Sequence, residues 1–178
     1  MGAERAERAE DKPSRPVRRG ATPPAWRITR GPGPIVAVAI HNGHAVRKEV
    51  EARLRLSEGE RLREEDPYTA GWTEVVDTRV IGRRSRFEVD LNRPRESAVY
   101  VEPEQSWGLR VWEGPLPLDL IARSLEAWDA FYRDLAVLLE EKRARHGRFV
   151  VFDIHSYNHR RSGPDGAPAD PSENPDVN

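Results

Sequence analysis

The sequence predicts an α/β domain built on a mostly parallel, mixed sheet flanked by helices. Three observations predict it. Two are unbroken apolar runs rich in β-branched residues, Ile35–Ile40 (IVAVAI) and Phe149–Ile154 (FVVFDI). Runs of this kind mark strands buried on both faces, as in parallel sheets. The third is a helical stretch from Asp119 to Arg145 that runs directly into the second apolar segment. Strand, long helix and strand in that order make a crossover unit of a parallel sheet.

The elements follow in chain order. Residues 1 to about 24 combine AERAERAE, which has helix-forming residues but no apolar stripe, with the Pro- and Arg-rich KPSRPVRRGATPP. With nothing to bury, they are expected to be a disordered leader. Residues 25–178 are then one α/β domain. WRIT (Trp26–Thr29) reads as a short strand and GPGP as a turn. IVAVAI ends at His41-Asn42-Gly43-His44, and Val46, Val50 and Leu54 at helical spacing predict a helix after it. Ser57 and Glu60 have capping-box spacing for a second short helix. Arg79–Ile81, Arg86–Leu91 and Trp107–Trp112 read as strands, with Pro94 stopping the middle one. On the long helix the apolar positions Ile121, Leu125, Trp128, Tyr132, Leu135 and Leu139 step by three and four. That is one face of a helix about 40 Å long. Arg143, Arg145 and His146 suit the negative end of its dipole, and Gly147 is the expected stop. The terminal GPDGAPADPSENPDVN has loop chemistry throughout.

Composition narrows the chemistry. The chain has 178 residues, a formal net charge of −1 and no cysteine. Disulfides, thiolate metal sites and cysteine nucleophiles are therefore excluded, and any metal must be held by His, Asp or Glu. The first 30 residues carry eight Lys/Arg against four Asp/Glu. The whole chain nevertheless has no net field favouring nucleic acid or an anionic membrane. No apolar run approaches the about 20 residues of a membrane span, and the charged N-terminus lacks the apolar stretch of a signal peptide. A cytoplasmic protein without nucleic-acid or membrane partners is the expectation.

The two apolar strands end alike: His41 follows the first at once, and His155 follows the second. Ligands of open α/β sheets bind outside the carboxyl ends of the strands. If the strands are neighbours, both imidazoles reach one ion. His44, three residues after His41, is the expected third nitrogen ligand of a zinc or similar divalent transition-metal site with an open position. Asp153, two residues before His155, is placed to orient an imidazole. Glu64, Glu65 and Asp66 are the further ligand or base candidates. His159 reads as a loop residue and His146 as a helix-end cation. In Ser85–Arg95, strand alternation separates Arg86, Glu88 and Asp90 from Phe87, Val89 and Leu91. An arginine fork in this segment matches either a substrate carboxylate or a local surface acid.

Taken in order, AIHNGH, REEDPYT, SRFEVDLNRPRE and DIHSYNHRRSGP resemble the N-formylglutamate amidohydrolase family over about Trp26 to Asn178. They are also similar to the wider group of aspartoacylase- and metallocarboxypeptidase-like zinc hydrolases. The resemblance implies a zinc-exopeptidase-like fold and a metal-dependent amidohydrolase. Its substrate would be an N-acyl acidic amino acid such as N-formylglutamate. It further implies that His41 and His155 are metal ligands and that Asn92 and Arg93, with Arg95 beside them, bind the substrate carboxylate. The resemblance also implies that Arg86 polarises the scissile carbonyl. The sequence departs from the pattern twice. His44 stands where the wider group has a glutamate ligand. The family's later general-base glutamate has no counterpart after His155, which leaves Glu65 or Asp66 as the base or the domain short of its C-terminal part. The alternative is a family member that binds metal or carboxylate without turnover.

Overall fold

The computed structural model describes residues 24–160, 163 and 165–172. Residues 1–23 of the expected leader lie outside the described residues. Strands β1 (Trp26–Thr29), β2 (Ile35–Ala39), β3 (Thr78–Gly82) and β4 (Val150–Asp153) form one sheet in the order β1-β3-β2-β4. β2 runs parallel to both neighbours, with Val38 opposite Val80 on β3 and Asp153 on β4. β1 pairs antiparallel with β3, placing Ile28 opposite Val80. The sheet is thus mixed and mostly parallel.

Helices α1 (Lys48–Glu51), α2 (Glu58–Glu64), α3 (Thr69–Trp72) and α4 (Leu118–His146), with three short 3₁₀ turns, complete the regular elements among the described residues. The Ser57/Glu60 spacing does make a capping box on α2: each side chain bonds the other's backbone N–H. α4 ends at Gly147, whose positive φ of 71° closes the last turn through its N–H to the Arg143 carbonyl. The helix expected after Val46 shrinks to the single turn α1, in which Val50 alone is buried.

The central core lies between α4 and the sheet. Phe131 and Leu138 pack on Val36, Val38, Ile40, Val80 and Leu91, with Trp26 and Ile28 beside them. A fully buried side chain of this size contributes about 1.5–3 kcal/mol. The buried line of α4 runs Leu120, Ser124, Phe131, Leu138, Lys142, which corrects the expected stripe centred on Ile121 to Leu139. Two polar residues hid it. Ser124 accepts from Arg47 Nη2 at 2.7 Å. Lys142 Nζ donates to the Gly31 and Gly33 carbonyls at 2.6 and 2.7 Å, fastening the turn between β1 and β2.

Three further expectations are corrected. β4 is exposed along its length, because it is the outermost strand and is paired on one side only among the described residues. Trp107–Trp112 contributes only an isolated bridge from Trp112 to Leu54. Arg86–Leu91 is a string of turns rather than a strand. Phe87, Glu88, Val89, Asp90 and Leu91 are all buried, so no face of this segment alternates. Its two buried carboxylates are satisfied by side chains instead of a ladder: Glu88 takes Arg47 and Arg84, and Asp90 takes His41, Arg86 and Tyr100.

Candidate metal centre

The parallel pairing of β2 and β4 brings their carboxyl ends side by side, and Ile154 N bonds the Val38 carbonyl at 2.8 Å. His41 and His155, just beyond those ends, therefore meet, with ring centroids 4.9 Å apart. Glycine permits the tight packing around His41. A side-chain carbon on Gly82 would overlap the Ile40 carbonyl, and one on Gly43 would overlap the Arg83–Arg84 backbone.

The third member of the group is Asp66. Its backbone N–H bonds the His41 carbonyl at 3.1 Å, and its Oδ2 accepts from His155 Nδ1 at 2.8 Å. One ligand atom from each of His41, Asp66 and His155 lies within 4.8 Å of the others. His41 is 2 % exposed and donates Nε2–H to Asp90 Oδ1 at 2.7 Å. Its Nδ1 is buried without a hydrogen-bond partner and faces Asp66 Oδ2 at 3.5 Å. Asp90 cannot give His41 a proton. Burial opposes its ionisation, but His41, Arg86 and Tyr100 outweigh burial and hold it well below the usual carboxylate range. Asp66 is likewise held down to about 2: burial opposes its ionisation, but the hydrogen bond from His155 and the neighbouring His41 ring outweigh it. A buried imidazole nitrogen without a hydrogen-bond partner, opposite an ionised carboxylate oxygen, fits a cation between them. An imidazole fixed by a carboxylate on its other nitrogen is the usual form of a histidine metal ligand. His155 Nε2 lies 3.2 Å from Asp153 Oδ1. The Asp153 and Asp66 carboxylates raise its pKa to about 9 against the effect of burial, so coordination there must displace a proton.

His44 stands outside this group. Its Nδ1 donates to Glu65 Oε2 at 2.5 Å, and its Nε2 accepts from Arg61 Nη2 at 3.1 Å. Arginine only donates, so the one lone pair of His44 points at a guanidinium and is not available to an ion. Glu65 also accepts from Ser85 Oγ, which occupies both oxygens of this candidate base. Asp66, the other candidate base, is part of the metal group.

A cavity of about 650 Å³ opens against the group at Asp66. Arg86, Arg63, Trp107, Leu109, Leu62 and Tyr157 contribute to its walls. Arg86 is fixed from three sides, by Tyr100 Oη at 3.3 Å, the Glu64 carbonyl at 3.1 Å and Asp90 Oδ2 at 2.8 Å, and it stacks 4.8 Å from the Trp107 ring centre. Asn92, Arg93 and Arg95 do not line the cavity. Asn92 offers its backbone N–H to Asp90 Oδ1, and Arg93 donates to the Gln105 carbonyl at 3.3 Å. Arg95 forks onto Asp129 of α4 through Nε and Nη2 at 2.7 and 3.0 Å. Sequence reasoning did not find Asp90 as the partner of His41, nor Tyr100 and Trp107 around Arg86. The Arg86–Asp90 spacing of four was the available signal, but it was read as strand alternation.

No helix among the described residues is long and apolar enough to cross a membrane. No curated protein sequence matches the chain. Two solved structures share the fold. The crystal structure of N-formylglutamate amidohydrolase from Ralstonia eutropha JMP134 superposes with a TM-score of 0.63 at 14% identity, over 81% of this chain and 64% of that one. A gene product of Agrobacterium tumefaciens gives 0.60 at 23% identity, over 81% and 60%. This chain thus spans less than two thirds of either structure's length. The profile of N-formylglutamate amidohydrolases matches residues 33–178, and the chain belongs to the N-formylglutamate amidohydrolase family.

Proposed function

We propose that this chain is a metal-dependent amidohydrolase acting on an N-acyl acidic amino acid of the N-formylglutamate kind. The observation that carries the reading is the buried, unpartnered Nδ1 of His41 facing Asp66 Oδ2 with His155 beside it. Zinc or a similar divalent ion held by His41, Asp66 and His155 would supply Lewis acidity and a water made acidic enough to attack near neutral pH.

The remaining roles belong to the chain. Asp90 holds His41 in the tautomer that leaves Nδ1 as a ligand. Asp153 places a carboxylate oxygen 3.2 Å from His155 Nε2. Three of the five N–H donors of Arg86 are taken by Tyr100, Glu64 and Asp90. The other two are left for the acyl oxygen, where negative charge develops as the carbonyl is attacked. Because Arg86 is held from three sides and stacked on Trp107, it needs little reorganisation during reaction. Net hydrolysis adds water across the amide C–N bond and, for a formyl substrate, yields formate and the free amino acid. Asn92 and Arg93 remain the proposed contacts for the substrate carboxylate, approached from the Asp90 side of the site. Neither Glu65 nor Asp66 is assigned as base, since hydrogen bonds or the metal group occupy both.

That last point favours a second reading, a family member that binds metal without turnover. One experiment separates the readings. The purified chain is titrated with zinc, assayed for bound metal, and tested for formate release from N-formyl-L-glutamate, alongside His41→Ala and His155→Ala. About one equivalent of zinc, lost in both variants, together with formate release supports the amidohydrolase. Zinc without formate supports the second reading. A folded chain that takes up no zinc refutes both.

A further inference from the structure

We infer that His44 is a positioning residue: through Glu65 it sets Asp66 in the metal group, without touching the ion. The inference rests on the metal-site reading above. Asp66 lies on the segment leaving α2, where the helix has ended and Glu65 is already extended (φ −79°, ψ 167°). Such a segment has no ladder to fix it. Besides the Asp66 N–H bond to the His41 carbonyl and the Arg86 bond to the Glu64 carbonyl, the carboxylate one residue earlier holds it. Glu65 is 4 % exposed and joins two other loops: Ser85 Oγ, at the exit of β3, donates to Oε1, and His44 Nδ1, at the exit of β2, donates to Oε2 at 2.5 Å. The Arg83–Ser85 and His44–Ala45 backbones are themselves tied, Ala45 N to the Arg83 carbonyl and Ser85 N to the Ala45 carbonyl.

His44 is in turn oriented by Arg61, which bonds its carbonyl at 3.0 Å through Nη1 and its Nε2 at 3.1 Å through Nη2. A donor-only guanidinium on Nε2 dictates that the proton of His44 sits on Nδ1, directed at Glu65. Three loops thus converge on one buried carboxylate, and the adjacent residue is the ligand. Without the His44 bond, Glu65 keeps Ser85 alone of its two loop partners, and Asp66 keeps its backbone bond to His41, the bond from His155 Nδ1 and the turn made by Thr69 Oγ1 on its carbonyl.

The test compares His44→Ala, His44→Asn and His44→Gln with the natural chain, using zinc affinity by chelator competition and hydrogen exchange of the Glu65 and Asp66 amides in the metal-free protein. The amide of Asn occupies the Nδ1 position of histidine, whereas that of Gln reaches the Nε2 position. His44→Ala and His44→Gln are expected to weaken zinc about tenfold or more, the scale of lost partners around a metal ligand, and to speed exchange at Asp66. One zinc is still bound at saturation. His44→Asn is expected to stay within a few-fold of the natural chain on both readouts. Complete loss of zinc in His44→Ala, as in His41→Ala, would make His44 a ligand and overturn the inference. Unchanged affinity and exchange, or equal loss in Asn and Gln, would overturn it too. If the natural chain binds no zinc, the metal reading fails, and the exchange comparison alone decides whether His44 holds the Asp66 segment.

Discussion

Asp90→Asn is the sharpest probe of the site, because it changes charge and hydrogen-bond polarity while leaving the side-chain volume almost unaltered. Asp90 is completely buried. Its Oδ1 accepts from His41 Nε2 at 2.7 Å and Asn92 N at 2.8 Å, and its Oδ2 from Arg86 Nη2 at 2.8 Å and from Tyr100 Oη. An amide offers one acceptor oxygen, so an NH₂ must face one of these donor pairs. In either orientation the largely buried guanidinium of Arg86 loses its counter-charge, and an NH₂ that faces Arg86 and Tyr100 also sets donor against donor. If it faces His41 and Asn92, the imidazole must become an acceptor at Nε2, and its proton moves to Nδ1, the proposed ligand atom. Breaking a buried ion pair from one side costs about 3–5 kcal/mol. Losing a carboxylate behind a metal-bound histidine costs about 10–100-fold in metal affinity. Urea unfolding of the metal-free chain should therefore show a loss of about 3–5 kcal/mol, with zinc affinity down by at least tenfold when measured well below the unfolding midpoint. A loss under about 1 kcal/mol, the size of one ordinary hydrogen bond, with zinc affinity unchanged would refute the reasoning. Asp90 would then be neither the counter-charge of Arg86 nor the orienter of His41.

Two further outcomes follow from the same structure. Tyr68 sits at a positive φ of 71° directly after Pro67, with its side chain 86 % exposed, in the turn position that favours glycine; Tyr68→Gly should raise the urea midpoint by about 0.5–1 kcal/mol of stability, and a lowered midpoint would mean that the ring makes contacts worth more than the strain. Arg95 is an exposed partner of Asp129, so Arg95→Ala should leave zinc affinity, any turnover and the thermal midpoint within error, since surface pairs contribute little; a rise in KM without a change in kcat would return Arg95 to the substrate site.

Much of the frame was legible because it is carried by apolar runs and caps. IVAVAI and FVVFDI were readable as strands, and the long helix was readable to within a residue at each end, with Gly147 as its stop. The convergence of His41 and His155 followed from one premise, that the two strands are neighbours, and the parallel β2–β4 pairing meets it. Features that depend on partners distant in sequence were not legible. The exposure of β4 depends on its place in the strand order, which no local pattern encodes. The buried line of α4 was misread by about one residue, because Ser124 and Lys142 lie on it and are kept there by Arg47 and by two glycine carbonyls.

The choice between His44 and Asp66 shows most directly where sequence spacing fails. Spacing of three from His41 made His44 the natural ligand, and an imidazole is in itself as good a ligand as a carboxylate. What decides is the proton. Arg61 approaches His44 Nε2 and Glu65 takes the proton on Nδ1, so both nitrogens are spent. Asp90 approaches His41 Nε2 and leaves Nδ1 unpartnered. On the proposed metal reading, two histidines three residues apart take opposite roles through one guanidinium and one carboxylate, from Arg61 and Asp90, neither of which is near them in sequence. The same logic explains why Glu65 and Asp66, adjacent and both buried, differ: the first faces two donors that fill both its oxygens, and the second faces one donor, His155 Nδ1, and the unpartnered Nδ1 of His41. At a site of this kind the ligand set is fixed less by which residues are present than by which of their lone pairs the surrounding hydrogen bonds leave open.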